Sequence, residues 1–218
     1  MLAMRRAGVT VFDPLPATPP PLAWPTGRRD LFTAPDCYFA STRANPEYGL
    51  PGWTRDCGRR FHRGCDIAPA RVVETGRVTT VLFSNCEDGR EYPSEEPVVE
   101  PDDDVFAVCQ GEVVEVNAQM SESDFGIFVV LHHVWPGGGP FFTLYGHLAG
   151  TDVRVGQAVR AGAPLGRMGA SSRSADARNW MAVAPHLHFE VVAGSGGAHD
   201  PADFLKSGLP PQGGVRHE

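Results

Sequence analysis

The chain has 218 residues, enough for one domain with a sizeable hydrophobic core and too few for two full enzymatic domains. Hydrophobic residues make up 42% of it and charged residues 21%, which excludes a fibrous or disordered composition. The formal net charge of −7, with basic residues in short pairs only, argues against a nucleic-acid partner.

The chain divides by composition into an arm, a domain and a tail. Residues 1–30 are rich in proline, so we expect an extended N-terminal arm outside the core. Residues 31–205 form the predicted domain, with an insertion at about 70–104, and 206–218 form a C-terminal tail. The insertion ends in a run, 95–104, with six acids in ten positions. This run is typical of a charged loop, and a lid for a cationic substrate is the alternative.

Short segments rich in Val, Phe and Leu, separated by Gly or Pro, predict a mainly β fold. The segments 126–134 and 140–147 read as a β-hairpin, and 153–162 reads as a smaller β-hairpin at an edge. The other predicted strands are 105–109, 112–117 and 186–193. No apolar run is long enough to span a membrane, and the first residues are followed by prolines rather than by the apolar stretch of a signal peptide.

The last predicted strand carries two histidines with alternating spacing. In His186-Leu187-His188-Phe189-Glu190, period two places both imidazoles and Glu190 on one face and the two apolar side chains on the other. An apolar face anchored in the core would hold the imidazoles rigidly, as a metal or catalytic surface requires. Two solvated histidines are the alternative, and Glu190 either orients a neighbouring histidine or is an ordinary surface residue.

A second candidate cluster precedes the insertion. His62 and Asp66 flank Gly64, which permits a turn that brings both side chains to one point. With His188 they give two histidines and one aspartate, the three-ligand pattern of catalytic zinc with a fourth position open. His147 ends a predicted strand, with Tyr145 expected on the same face by period two. His147 and His186 are then free to accept a proton and to stabilise an oxyanion.

Several blocks in this order resemble the lysostaphin-type (LytM-type) zinc endopeptidases of peptidase family M23. The resemblance runs from about Phe61 to Phe204. Its blocks are His62-x-Gly64-x-Asp66-Ile67-Ala68-Pro69, Gly111-Glu112-Val113-Val114, Leu144-Tyr145-Gly146-His147-Leu148, Val155-Gly156-Gln157-x-Val159-x-Ala161-Gly162-x-x-Leu165-Gly166 and Pro185-His186-Leu187-His188-Phe189-Glu190.

The resemblance implies a compact antiparallel β-sheet metallopeptidase domain with an open groove and long loop insertions. It also implies Zn²⁺ on His62, Asp66 and His188, with His147 and His186 as the catalytic pair. The implied reaction is hydrolysis of peptide bonds in peptidoglycan stems, cross-links or bridges. That substrate places the protein outside the cell or in the periplasm, although no export signal is visible, and we expect a monomer.

Two other functions stay open at this point. A catalytically silent lysostaphin-like domain could bind or regulate other cell-wall hydrolases, with the long insertions at 70–104 and 171–184 blocking the groove. An unrelated hydrolase could use Cys65 or another cysteine with a histidine, although no base lies at a recognisable spacing. The chain has five cysteines and no CxxC pair, so we expect disulfides rather than a structural zinc ribbon, with at least one thiol unpaired.

Overall fold

A computed structural model describes residues 11–26, 39, 47–55, 58–67, 104–173 and 185–208, and the backbone of 70–72 and 78–80. The fold is mostly antiparallel β-sheet, as the sequence predicts. Its strands are β1 Gly52–Arg55, β2 Arg60–His62, β3 Cys65–Ile67, β4 Ala70–Val72, β5 Val78–Thr80, β6 Asp104–Phe106, β7 Gly111–Asn117, β8 Ile127–Val134, β9 Pro140–Gly150, β10 Ala158–Val159, β11 Pro164–Met168, β12 Leu187–Ala193 and β13 Ala198–His199. A 3-10 turn, Met120–Glu122, and one helix, α1 Pro201–Ser207, complete the described elements.

The five predicted strands are confirmed as β6, β7, β8, β9 and β12, with shifts of a few residues at their ends. β8 and β9 form the predicted hairpin, and the amide of Trp135 donates to the carbonyl of Gly139 across its loop at 3.1 Å. The smaller hairpin predicted at 153–162 is wrong. The strand there, β10, pairs with β7 instead, because Gly156 and Gln157 exchange backbone hydrogen bonds with Val113.

Nine of the described strands form one sheet, and its register sets up the functional region. Six run in the order β10-β7-β8-β9-β11-β6. β12 pairs with β9 along one edge and with β3 and β13 along the other. In this register His188 lies opposite Asp66 of β3 and opposite Gly146 of β9. Residues far apart in sequence are therefore neighbours across three adjacent strands.

The main core lies on one face of this sheet. Leu187, Phe189 and Val191 of β12 are fully buried in it, as the alternation predicts. Helix α1 closes the core by packing Phe204 against the rings of Trp135 and Phe141, each with a ring centroid 5.8 Å away. The opposite face carries a smaller apolar cluster of Phe128, Val130 and Leu144, with Phe125 and Phe142 against it. No helix among the described residues is long and apolar enough to cross a membrane.

The N-terminal segment packs on the domain, so the expectation that it lies outside the core is wrong for residues 11–26. Trp24 is 1% exposed and belongs to the main core. The backbone of this segment also forms hydrogen bonds with the domain. The amide of Ala23 donates to the carbonyl of Val108, and the carbonyl of Pro25 accepts from the amide of Phe106. The six prolines of this segment favour an extended backbone, as expected. Burial of its one tryptophan removes a large apolar surface from water, and this favourable free energy keeps the segment packed on the domain.

The insertion is described only in part. Strands β4 and β5 pair as a separate two-stranded antiparallel sheet. Residues 81–103 lie outside the described residues, and with them almost all of the acidic run; Asp104 belongs to β6 and is exposed. The predicted loop before His186 is described for Ser171–Arg173 only. The domain boundaries stay predictions.

Candidate metal and catalytic site

His62 ends strand β2 with one ring nitrogen fixed by the backbone. Its Nδ1 lies 2.9 Å from the carbonyl oxygen of Leu50. A carbonyl can only accept, so Nδ1 carries the hydrogen and Nε2 keeps its lone pair. The imidazole is 6% exposed, and burial lowers its pKa against the opposing effect of Asp66. His62 is therefore a neutral ring with Nε2 available as a ligand.

Asp66 lies at the centre of the cluster. Its amide donates to the carbonyl of Gly49 at 2.8 Å, which fixes β3 against the turn before β1. One carboxylate oxygen, Oδ1, lies 3.3 Å from Nε2 of His62 and 2.8 Å from Nδ1 of His188. Burial alone would raise the pKa of this carboxyl, but the surrounding histidines and the guanidinium of Arg55 outweigh this effect and hold the pKa well below its usual range. Asp66 is therefore ionised.

His188 bridges two carboxylates. Its Nδ1 faces Asp66, and its Nε2 lies 3.1 Å from Oε1 of Glu190. Burial lowers the pKa of His188, but the hydrogen bonds that the ring donates to both carboxylates outweigh this effect and raise the pKa to about 9. Glu190 is 5% exposed and its other oxygen lies 4.0 Å from Arg63. The structure thus places Glu190 as a buried partner that orients His188, and not as a surface residue.

Gly64 is needed for close approach rather than for an unusual backbone angle. A Cβ at this position would lie 2.5 Å from Cε1 and 2.7 Å from Nε2 of the His188 ring, and 2.8 Å from the carbonyl oxygen of Phe189. The two candidate ligands His62 and Asp66 flank this residue in sequence. The missing side chain therefore lets the His188 ring fit directly against the segment that carries them.

His147 reaches the site through a break in strand alternation. Among the described non-glycine residues it alone has a positive φ, 61°. The register of β8 and β9 is irregular there: between the paired positions, one β8 residue, Phe128, stands opposite two β9 residues, Gly146 and His147, as in a β-bulge. The prediction that Tyr145 shares its face is wrong, because Tyr145 is fully buried in the core and accepts from the amide of Val108 at 3.0 Å.

The His147 ring lies beside the other candidate catalytic histidine. Its centroid is 4.5 Å from that of His186 and 5.8 Å from that of His188. Its Nδ1 donates to the carbonyl of Ser171 at 2.7 Å, which leaves Nε2 as an acceptor. Burial, followed by the charges of the two neighbouring histidines, lowers the pKa of His147 to about 3, so the ring is neutral at pH 7.

All five side chains predicted from the sequence meet in one place. Ligand atoms of His62, Asp66 and His188 lie within 4.8 Å of one another, and all three residues are buried. Nε2 of His186 lies 3.7 Å from Oδ2 of Asp66, which joins the candidate catalytic pair to this group. Two imidazole nitrogens, once His188 has lost its extra proton, and one carboxylate are the donor set of a catalytic zinc site, and the hydrogen bond to Glu190 is the outer support such a histidine needs. The residues present fit zinc.

Two residues of the site were missed by the sequence reasoning. Arg55 of β1 reaches the carboxylate of Asp66 with Nη2 and is 5% exposed. It stands seven positions before His62, on the other strand of a short hairpin that was not predicted from the sequence. Phe125 stacks on His188 with a centroid distance of 5.1 Å, and no sequence pattern points to it.

The two described cysteines are buried free thiols, which corrects the disulfide prediction for Cys65 and Cys109. The other three cysteines lie outside the described residues. Cys65 is fully buried, and burial raises the pKa of its thiol well above the usual value. Full burial and the raised pKa both oppose a thiolate nucleophile at Cys65, which argues against that form of the cysteine hydrolase hypothesis.

A comparison with protein families finds one match, and it covers part of the site. Residues 97–201 match the model of peptidase family M23. The matched segment contains His147, His186 and His188, whereas His62 and Asp66 lie before it. No curated protein matches the chain at a significant level.

Solved structures similar to the chain include two of lysostaphin and one of a second M23 protein. The catalytic domain of lysostaphin from Staphylococcus simulans is 22% identical with a TM-score of 0.40, over 78% of this chain and 89% of that one. Whole lysostaphin is 25% identical with a TM-score of 0.41, over 71% of this chain and 48% of that one, so the chain spans about half its length. The catalytic domain of a prophage-encoded M23 protein, EnpA, from Enterococcus faecalis is 21% identical with a TM-score of 0.37, over 66% of this chain and 78% of that one.

Proposed function

The chain belongs to peptidase family M23, and on that premise we propose that it is a zinc-dependent endopeptidase hydrolysing peptide bonds of bacterial peptidoglycan. The observation that carries the proposal is the convergence of His62, Asp66 and His188 within 4.8 Å, with two further histidines beside them. Three protein ligands leave a fourth position for water or substrate, which distinguishes a catalytic site from a structural one.

The three ligands are prepared for a metal by their own hydrogen bonds. The carbonyl of Leu50 accepts from Nδ1 of His62 and so leaves a lone pair on Nε2, the nitrogen that faces Asp66. Glu190 accepts from Nε2 of His188, so Nδ1, which faces Asp66, carries a lone pair once this ring has released its extra proton. Zinc, when bound, activates water as a nucleophile and polarises the carbonyl that is attacked.

His147 is the proton acceptor in this proposal. The carbonyl of Ser171 holds its Nδ1 hydrogen, so the neutral ring presents Nε2, which can accept a proton from water but cannot donate one. His186, whose ring centroid lies 4.5 Å from that of His147, then stabilises the oxyanion of the tetrahedral intermediate. Phe125 packs on His188 and excludes water from one side of the cluster.

The family supports a peptidoglycan substrate, and the peptide cut lies in a stem, a cross-link or a bridge. Such a substrate places the protein outside the cytoplasm, at the cell wall or in the periplasm. We further propose that it acts as a monomer, since the three ligands and the catalytic pair all come from one chain.

Four variants test this division of roles. Asp66→Ala and His188→Ala should each lose zinc and the release of soluble fragments from purified peptidoglycan, because each removes a ligand. His147→Ala should keep zinc and lose release. His132→Ala is the matched control, since its ring packs on Phe142 in β9, and it should keep both. Loss of zinc in His147→Ala would overturn the assignment, and zinc without release in the unaltered protein would favour a silent regulatory domain.

A further inference from the structure

A serine hydroxyl bridges the two strands beside the bulge that carries His147. Oγ of Ser171 donates to the carbonyl of Leu148 at 2.6 Å and accepts from the amide of Ile127 at 2.8 Å. Leu148 and Ile127 are paired positions of β9 and β8, at the end of the bulge. In a regular hydrogen-bonded pair this amide would donate to this carbonyl directly. The hydroxyl therefore takes the place of a ladder hydrogen bond next to His147.

The backbone of the same serine binds the His147 ring. The carbonyl of Ser171 accepts from Nδ1 of His147 at 2.7 Å, and the amide of His147 donates to the carbonyl of Phe125, in the loop before β8, at 2.7 Å. The φ of 61° at His147 lies in the left-handed region, which is unfavourable for a residue with a Cβ. Such a conformation persists only where the surrounding contacts hold it. Ser171 contributes to this on both sides, with its carbonyl on the ring and its hydroxyl on the adjoining ladder.

Ser171 is itself fixed by close packing on the loop before β8. It is buried, and a Cβ on Gly126 would overlap both its carbonyl carbon and its carbonyl oxygen, so the glycine permits this approach. The next residue, Ser172, is buried as well, and its hydroxyl donates to the carbonyl of Asp124 at 3.0 Å. Two adjacent buried hydroxyls thus have different targets. That of Ser171 binds the strands at the bulge, and that of Ser172 binds the loop.

We propose that Ser171 is the positioning residue of His147. Its hydroxyl keeps the β8–β9 ladder open at the bulge, and its carbonyl selects the tautomer in which Nδ1 carries the hydrogen and Nε2 is left as the acceptor. Without the hydroxyl, the amide of Ile127 and the carbonyl of Leu148 would lose this partner and close on each other. The bulge would then change shape, and the His147 ring would leave its acceptor. This inference rests on the proposed role of His147 and adds the residue that orients it.

The tautomer of His147 tests the positioning without an assay of activity. It is read from long-range proton–nitrogen NMR spectra of the full chain with isotope-labelled histidine rings. The unaltered protein should show a single Nδ1–H tautomer for His147, and a ring that exchanges between tautomers would overturn the inference with no variant needed. Ser171→Ala should lose the single tautomer, whereas Ser172→Ala, the matched control, removes the neighbouring buried hydroxyl and should keep it. A fixed Nδ1–H tautomer in Ser171→Ala would refute the role of the hydroxyl.

Steady-state hydrolysis of a soluble cross-linked peptide fragment of peptidoglycan tests the consequence for the reaction. Ser171→Ala should lower kcat at least about tenfold with KM and zinc content unchanged, because a displaced proton acceptor slows the chemical step and leaves binding intact. Ser172→Ala should keep the kcat of the unaltered protein, and equal kcat values in the two variants would contradict the positioning. If the unaltered protein hydrolysed nothing while the His147 tautomer still depended on Ser171, the proposed function would fail and the positioning would stand.

Discussion

Replacement of Gly64 by alanine tests how tightly the proposed ligands are packed. The added Cβ would lie 2.5 Å from Cε1 of His188 and 2.8 Å from the carbonyl oxygen of Phe189. Carbon contacts are optimal at about 3.5–4.0 Å, so the imidazole must retreat by roughly 1 Å. The carbonyl belongs to β12, which is held on both edges and cannot move as far.

The displacement is large on the scale of metal coordination. Ligand distances in zinc sites hold to within about 0.2 Å, so a shift of roughly 1 Å in one ring removes it from the site unless the hairpin moves with it. We therefore expect Gly64→Ala to weaken zinc binding at least about tenfold. Overpacking should also destabilise the fold by about 1–3 kcal/mol.

Chelator competition gives the zinc affinity, and urea unfolding of the metal-free protein gives the stability. Gly139→Ala is the matched control, because nothing lies within 4 Å of the Cβ it would add. The control should match the unaltered protein in both assays. If Gly64→Ala also bound zinc with unaltered affinity, the close packing of His188 on this glycine would be refuted as a requirement of the site.

Three further predictions concern burial and charge. His133 is buried, and burial lowers its pKa to about 4. Because this folded-state pKa lies below the unfolded-state value of about 6.5, the contribution of His133 to stability is fully present above pH 6.5 and is lost as the pH falls. Urea unfolding should show a loss of about 2 kcal/mol from this group between pH 7.5 and pH 5.0. Glu190→Gln keeps the size of the side chain that orients His188 but removes its charge, and should weaken zinc binding about ten- to a hundredfold in chelator competition. Trp24→Ala should cost about 3–5 kcal/mol in urea unfolding, because the indole is 1% exposed in the main core.

Each of these has a clear contrary result. For His133, the variant His133→Gln should lack the about 2 kcal/mol share of the pH dependence, and an identical pH profile in both proteins would show that another group is responsible. For Glu190, an unchanged zinc affinity would mean that the carboxylate is a structural neighbour only. For Trp24, a loss of less than about 0.5 kcal/mol in the free energy of unfolding would mean that residues 11–26 are not packed on the core in solution.

The parts of the fold that the sequence predicts are those governed by local periodicity. Alternation in β12 correctly separates Leu187 and Phe189 from His188 and Glu190, because a strand paired on both edges follows period two. The loop after Trp135, with three glycines, correctly predicts the hairpin of β8 and β9. Helix α1 also has a local signal that was overlooked, since Asp200 caps its first turn and Pro201 follows.

The features that the sequence did not reveal depend on contacts between distant segments. The side of the sheet on which His147 lies follows from a bulge and a φ of 61°, which period two cannot anticipate. Trp24 is buried by β-strands more than 80 positions further along the chain, so composition alone suggested an exposed arm. Arg55 enters the ligand cluster through a hairpin of two short strands whose residues are mostly polar or charged.

The most direct test of the account is zinc content by elemental analysis of the purified protein, measured together with the release of soluble fragments from purified peptidoglycan, with and without a chelator. The account predicts about one zinc per chain and release that the chelator abolishes and added zinc restores. A protein that contains no zinc, or that releases fragments equally well in the presence of the chelator, would contradict the assignment of His62, Asp66 and His188 as ligands of a catalytic metal.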